Sequence, residues 1–157
     1  MSRPIVALDH VQVAAPAGCE EAARRFYGGL LGLEEIPKPA LLAARGGVWF
    51  RVGAQELHVG VADPFAPAAK AHPALRAVSR DALAQLVATL EEHRIEVSRA
   101  DAQEIPGTLR CYVRDPWGTA SSSLPDGGRA TRGEDIDAGR TRVSAESTSP
   151  STTKEER

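Results

Sequence analysis

Slid against itself by 62 residues, the chain lays His10 on His72, segment 20–31 on 82–93, and Leu33-Glu34 on Ile95-Glu96. A unit of about 60 residues buries little core by itself, so two such units are expected to share one. In the first unit, Pro4 to Ala15 alternates as a strand. Val6, Leu8, His10 and Gln12 fall on one face, and Ile5, Ala7, Asp9, Val11 and Val13 on the other. Gly18 to Leu31 reads as a helix: Glu20 and Glu21 suit its first turn, Ala22, Phe26 and Leu30 recur every fourth residue, and Gly32 stops it. Two strands follow, Val48 to Val52 and Glu56 to Val61. In the second of these, Leu57, Val59 and Val61 face one side and Glu56, His58 and Gly60 the other.

The second unit repeats the order. His72 to Ser79 is a predicted strand, with Pro73 demanding an edge position or an irregular start. Asp81 to His93 is an amphipathic helix with Leu83, Leu86, Val87 and Leu90 on one stripe. Ile95 to Arg99 and Leu109 to Arg114 read as strands. Asp115-Pro116-Trp117-Gly118 is a tight turn that calls for a last strand beyond it.

The rest of the composition narrows the function. The net charge is -2, which argues against a dedicated nucleic-acid surface. No apolar run approaches the roughly 18 residues of a membrane span, so no membrane partner is expected. The start, Met1-Ser2-Arg3-Pro4, lacks a signal-peptide core, and the two cysteines, Cys19 and Cys111, form no close pair. Together these predict a cytoplasmic location. Residues 126–157 hold only Ile136 and Val143 as large aliphatics, no aromatic and 13 charged side chains. Such a segment cannot offset its ordering entropy, so residues 125–157 are expected to be a disordered tail outside a 4–124 domain.

The ordered set Leu8-Asp9-His10-Val11, Phe26-Tyr27-Gly28-Gly29-Leu30-Leu31-Gly32, Gln55-Glu56-Leu57, His72 and Tyr112-Val113-Arg114-Asp115-Pro116-Trp117-Gly118 resembles the vicinal-oxygen-chelate superfamily. That superfamily includes glyoxalase I, bleomycin-resistance proteins, fosfomycin-resistance enzymes and extradiol dioxygenases. The resemblance implies an α+β fold of two βαβββ modules, about 4–64 and 70–124, forming an open β cup with helices outside. It also implies a divalent metal ion, Zn, Ni, Mn, Fe or Co, bound in the cup by two side chains per module. His10, Glu56 and His72 occupy the first three ligand positions, and Glu56 is then the candidate catalytic base. Imidazole and carboxylate suit such ions. Glu56 also stands within reach of pairing with an arginine such as Arg51 or Arg110, leaving His58 as the alternative ligand. Single residues of these types have blander uses: a strand histidine is commonly a hydrogen-bonded structural residue, His93 suits a helix C-terminus, Phe26 and Tyr27 suit a core, and Trp49 and Trp117 suit either the core or the wall of the cup.

The fourth ligand is where the chain departs from that pattern. A glutamate is expected seven residues past Asp115, and Ser122 stands there. Serine is a poor ligand when neutral. A family-like ending, Asn-Arg-Leu-Glu-Leu, coded AAC CGC CTC GAG CTC, reads one base later as Thr-Ala-Ser-Ser and the start of a Ser codon. The chain reads Thr119-Ala120-Ser121-Ser122-Ser123. A frameshift after Gly118 would produce both that segment and the patternless tail. Three functions compete: a metal-dependent lyase, isomerase or dioxygenase acting on a small oxygen-bearing substrate and impaired by the missing ligand, a metal-free antibiotic- or small-molecule-binding protein of the bleomycin-resistance type, and a diverged copy without activity. A homodimer is the expected assembly for the first two.

Overall fold

The computed structural model describes residues 4–99 and 109–125, with side chains through Ser123. Residues 126–157, on which the disordered-tail expectation falls, lie outside the described residues. Two four-stranded mixed sheets, each with its own helical segment, make the two βαβββ modules of an α+β fold. The first sheet has β1 (His10–Ala15), β2 (Glu34–Ile36), β3 (Val48–Val52) and β4 (Gln55–Val61), in the order β1-β4-β3-β2. The second has β5 (Ala74–Ala77), β6 (Val97–Arg99), β7 (Cys111–Arg114) and β8 (Ala120–Pro125), in the order β5-β8-β7-β6. In each, the first strand runs parallel to the last and all other pairs are antiparallel. No described helix is long and apolar enough to cross a membrane.

The alternation read from the sequence decides what each strand buries. Val13 and Ala15 of β1, and Leu57 and Val59 of β4, turn into a core with Phe26, Tyr27, Val48 and Phe50. Leu90 and Val113 of the second module join that same core, and Trp117 packs against it. The modules therefore share one apolar interior, as units of this size require. The helix α3 (Arg80–Glu92) is capped by Ser79, whose hydroxyl accepts the Ala82 N–H at 3.0 Å. That cap satisfies one of the orphan donors of the first turn.

Three elements differ from the sequence expectation. The first strand starts at His10, not Pro4, because β4 begins at Gln55 and its register reaches only to His10. Ile5, Val6 and Leu8 are consequently exposed, outside any strand. The first helix is α1 (Glu20–Ala23) followed by a π-helical stretch over Arg24–Leu30, not one regular α-helix. The wider turn is closed by the Leu31 N–H on the Phe26 carbonyl at 2.9 Å. It passes through Gly28, where an added Cβ would lie 3.6 Å from the Phe50 ring. The strand expected over 72–79 shrinks to Ala74–Ala77. Pro73 cannot donate to a ladder, although its carbonyl accepts the Ser122 N–H.

Candidate functional site

Because Val11, Val13 and Ala15 face the core, His10, Gln12 and Ala14 face outward from the sheet. On β4 the same rule turns Glu56, His58 and Gly60 to that side. Register then sets the pairing: His10 lies opposite Glu56 and Gln12 opposite His58. Asp9 Oδ2 accepts from His10 Nδ1 at 2.9 Å, which leaves Nε2 with its lone pair. Glu56 is engaged at both oxygens. His58 Nε2 donates to Oε2 at 2.9 Å, and Arg51 lies 3.3 Å from Oε1. The two alternatives for Glu56 thus meet in one cluster, where Arg51 pairs with the carboxylate and His58 is its hydrogen-bond donor rather than a free ligand.

Trp49, on β3 and opposite His58, stacks on the His58 ring at 3.9 Å with the planes 4° apart. His58 in turn stacks on His10 at 4.3 Å. These three rings line a cleft of about 410 Å³ together with Gln12, Lys38 and Arg45. The last two come from the loop between β2 and β3, which carries the one-turn α2 (Ala40–Ala43). That loop is tied down at its far end. Gly47 has a φ of 81° and lies so close to β4 that a Cβ would stand 2.1 Å from the Val59 oxygen, so only glycine fits there. Its N–H also donates to Glu20 Oε1 at 2.7 Å, and this hydrogen bond holds the Glu20 carboxyl below its ordinary pKa. Lys38 and Arg45 had no periodic signature in the sequence. Their only signal was a short cationic segment bracketed by Pro37, Pro39 and Gly46-Gly47.

The second module places its candidates elsewhere. His72 sits before β5, its Nδ1 on the Lys70 carbonyl and its ring edge-on to Tyr112 at 5.7 Å. None of these contacts reaches His10 or Glu56. Ser122, opposite both Ala74 and Tyr112, is on the same side of its sheet as Tyr112. Among the described residues, no three His, Cys, Asp or Glu side chains are arranged to hold one ion. The donors of one chain, His10 and an already engaged Glu56, do not fit a divalent ion by themselves. His10 and Glu56 belong to the first sheet and His72 precedes the second, and among the described residues the three form no group arranged to hold an ion. The remaining assignments behave as structural residues. His93 closes α3 with Nδ1 on the Thr89 carbonyl. Cys19 and Cys111 are buried, and burial pushes both thiols up and away from reactivity.

The fold and the site now stand beside known structures. A glyoxalase family protein from Bacillus anthracis is 46% identical over 80% of this chain and 98% of its own, with a TM-score of 0.73. This chain belongs to the glyoxalase family. The glyoxalase-family fold extends to more distant structures. Lactoylglutathione lyase from Agrobacterium tumefaciens is 22% identical, covering 79% of this chain and 96% of its own, with a TM-score of 0.61. A fosfomycin resistance protein, FosX, from Listeria monocytogenes is 14% identical, covering 77% and 93%, with a TM-score of 0.59. No protein-family model matches the sequence, and no curated protein matches it. The superfamily resemblance carried by the sequence motifs is thereby shown.

Proposed function

We propose that this glyoxalase-family protein binds a small oxygen-bearing molecule in the cleft over His10, Gln12 and His58, with the family's metal chemistry impaired. The observation that carries this reading is the cleft itself: an open, ring-walled groove on the polar side of the first sheet, with convergent polar groups. The impairment rests on Ser122 at the fourth-ligand position and on the engagement of Glu56 by His58 and Arg51. Glu56 remains the best-placed proton acceptor, since a substrate that displaced His58 from Oε2 would free that oxygen.

The reading includes a homodimer. β1 and β5 each stand at one edge of their sheets, and exposed Ile5, Val6 and Leu8 precede β1. Edges of this kind invite pairing with a second copy.

Four histidines give four resolvable imidazole signals. In NMR titrations with small hydroxy acids, phosphate esters and polyols, the His10 and His58 ring signals should move together, while His93 stays still. Movement of none of these rings with any compound, or of His93 alone, would show that the cleft is not the binding site.

A further inference from the structure

The cleft has a charge asymmetry that the family reading does not explain. Lys38 and Arg45 both line it, and no carboxylate does. Arg45 is exposed on the loop and makes no ion pair among the described residues. Lys38 is half-buried, donates to the Gly46 carbonyl, and holds its Nζ 5.8 Å from the Trp49 ring centroid. The acids beside the ring wall are engaged, Glu56 by Arg51 and His58 and Asp9 by His10, while Glu20 lies behind the loop and holds the Gly47 N–H. Two cations facing a recessed wall with low-dielectric rings focus a positive potential into the space between them.

We infer that Lys38 and Arg45 form a subsite for an anionic oxyacid group, carboxylate or phosphate, of the molecule that the cleft binds. The inference rests on the function proposed above and adds the charge class of the ligand. The anion would sit at the loop side, with Arg45 offering its planar fork and Lys38 a point charge. The rest of the ligand would lie along Trp49 and His58 toward His10. Because the loop carries both cations, it sets which ligands are taken, while the sheet supplies the polar floor.

Three probes of matched carbon skeleton test this: glycerol 3-phosphate, glycerate and glycerol, each titrated at fixed ionic strength. The readout is the Trp49 indole N–H signal, one of two in the protein, assigned with Trp117→Phe. Both anions should bind saturably and at least tenfold more tightly than glycerol. Arg45→Ala should weaken both anions by roughly tenfold and leave glycerol unchanged, and Lys38→Gln should act the same way. Arg45 is exposed, so an unchanged melting temperature confirms that its variant is folded. Glycerol binding as tightly as the anions, or an unchanged anion affinity in Arg45→Ala, overturns the subsite but leaves the cleft as a binding site. A Trp49 signal unmoved by all three probes overturns the subsite and the cleft together. The ratio of phosphate to carboxylate affinity identifies which oxyacid the subsite prefers.

Discussion

Replacing two buried serines of β8 through Ser121→Leu and Ser123→Leu should stabilise the protein by about 3 kcal/mol. β8 is an interior strand, flanked by β5 and β7. Directly paired residues share a face, so Ser121 opposite Val113 and Ser123 opposite Cys111 point into the interior beneath α3. They are 0% and 5% exposed. Serine brings little apolar area to such a place, and its hydroxyl loses water on burial. The Thr119 hydroxyl is likewise buried and finds no partner among the described residues. Fully burying one Leu side chain contributes about 1.5–3 kcal/mol, and strain from added volume subtracts from the pair. The net gain should raise the melting temperature by roughly 10 °C. The milder pair Ser121→Ala with Ser123→Ala, which adds no volume, should give a smaller rise. A fall in melting temperature for both sets would show that the serines are well accommodated.

The same register bears on the origin of the segment. Leu, Glu, Leu at 121–123 would put both aliphatics inside and the carboxylate on the face that carries Tyr112, near His72. The serines put hydroxyls at both inward positions while keeping the strand, and Ser122 between them is buried too. We propose that a frameshift after Gly118 produced them. Sequencing the gene decides it: the other frame beyond codon 118 should encode an Asn-Arg-Leu-Glu-Leu-like segment, and its absence refutes the idea.

Asp115→Ala should cost about 3 kcal/mol and lower the melting temperature by roughly 10 °C. Asp115 is buried in the turn between β7 and β8, and three donors converge on it. Oδ1 accepts the Trp117 and Thr119 N–H groups at 3.1 and 2.8 Å, and Oδ2 accepts the Tyr27 hydroxyl at 3.0 Å. Tyr27 belongs to the π-helical stretch of the other module, so this bond ties the modules together. Truncation leaves buried donors without partners, and each such donor is costly. Burial raises the Asp115 carboxyl above its ordinary pKa, and burial, followed by the Asp115 charge, raises the Tyr27 phenol. The native state then binds a proton more readily than the unfolded chain. Stability from this group is therefore full below the unfolded pKa and falls as pH rises through the raised one. Asp115→Asn should remove that descending component from the stability–pH curve. An identical curve in the variant would show that Asp115 does not titrate differently on folding.

Legibility followed periodicity. The alternation over 10–15 and 55–61 fixes which side chains turn inward, and with it the shared face of His10, Glu56 and His58. The leucine stripe of α3 and the turn at Asp115 were equally plain, because one face of each is committed to the core. Residues 4–9 also alternate, yet they form no strand, since alternation cannot tell whether a partner strand is long enough. Gly18 to Leu31 read as one helix, and the π-helical hydrogen bond from Leu31 to Phe26 left no periodic signal of its own. The cations of the β2–β3 loop were not legible at all. Only the close approach of Gly47 to β4 brings them to the cleft. Glu56 was legible as a site residue, but its double engagement depends on Arg51 arriving across from it in register.

Elemental analysis of the purified protein, after incubation with Ni, Zn or Mn and removal of free ion, tests the central claim most directly. The account predicts well under one ion per chain for the unaltered protein, because one chain supplies His10 and an engaged Glu56 but no third ligand beside them. His10→Ala should then change the retained metal little. One tightly held ion per chain, lost on His10→Ala, would contradict the account.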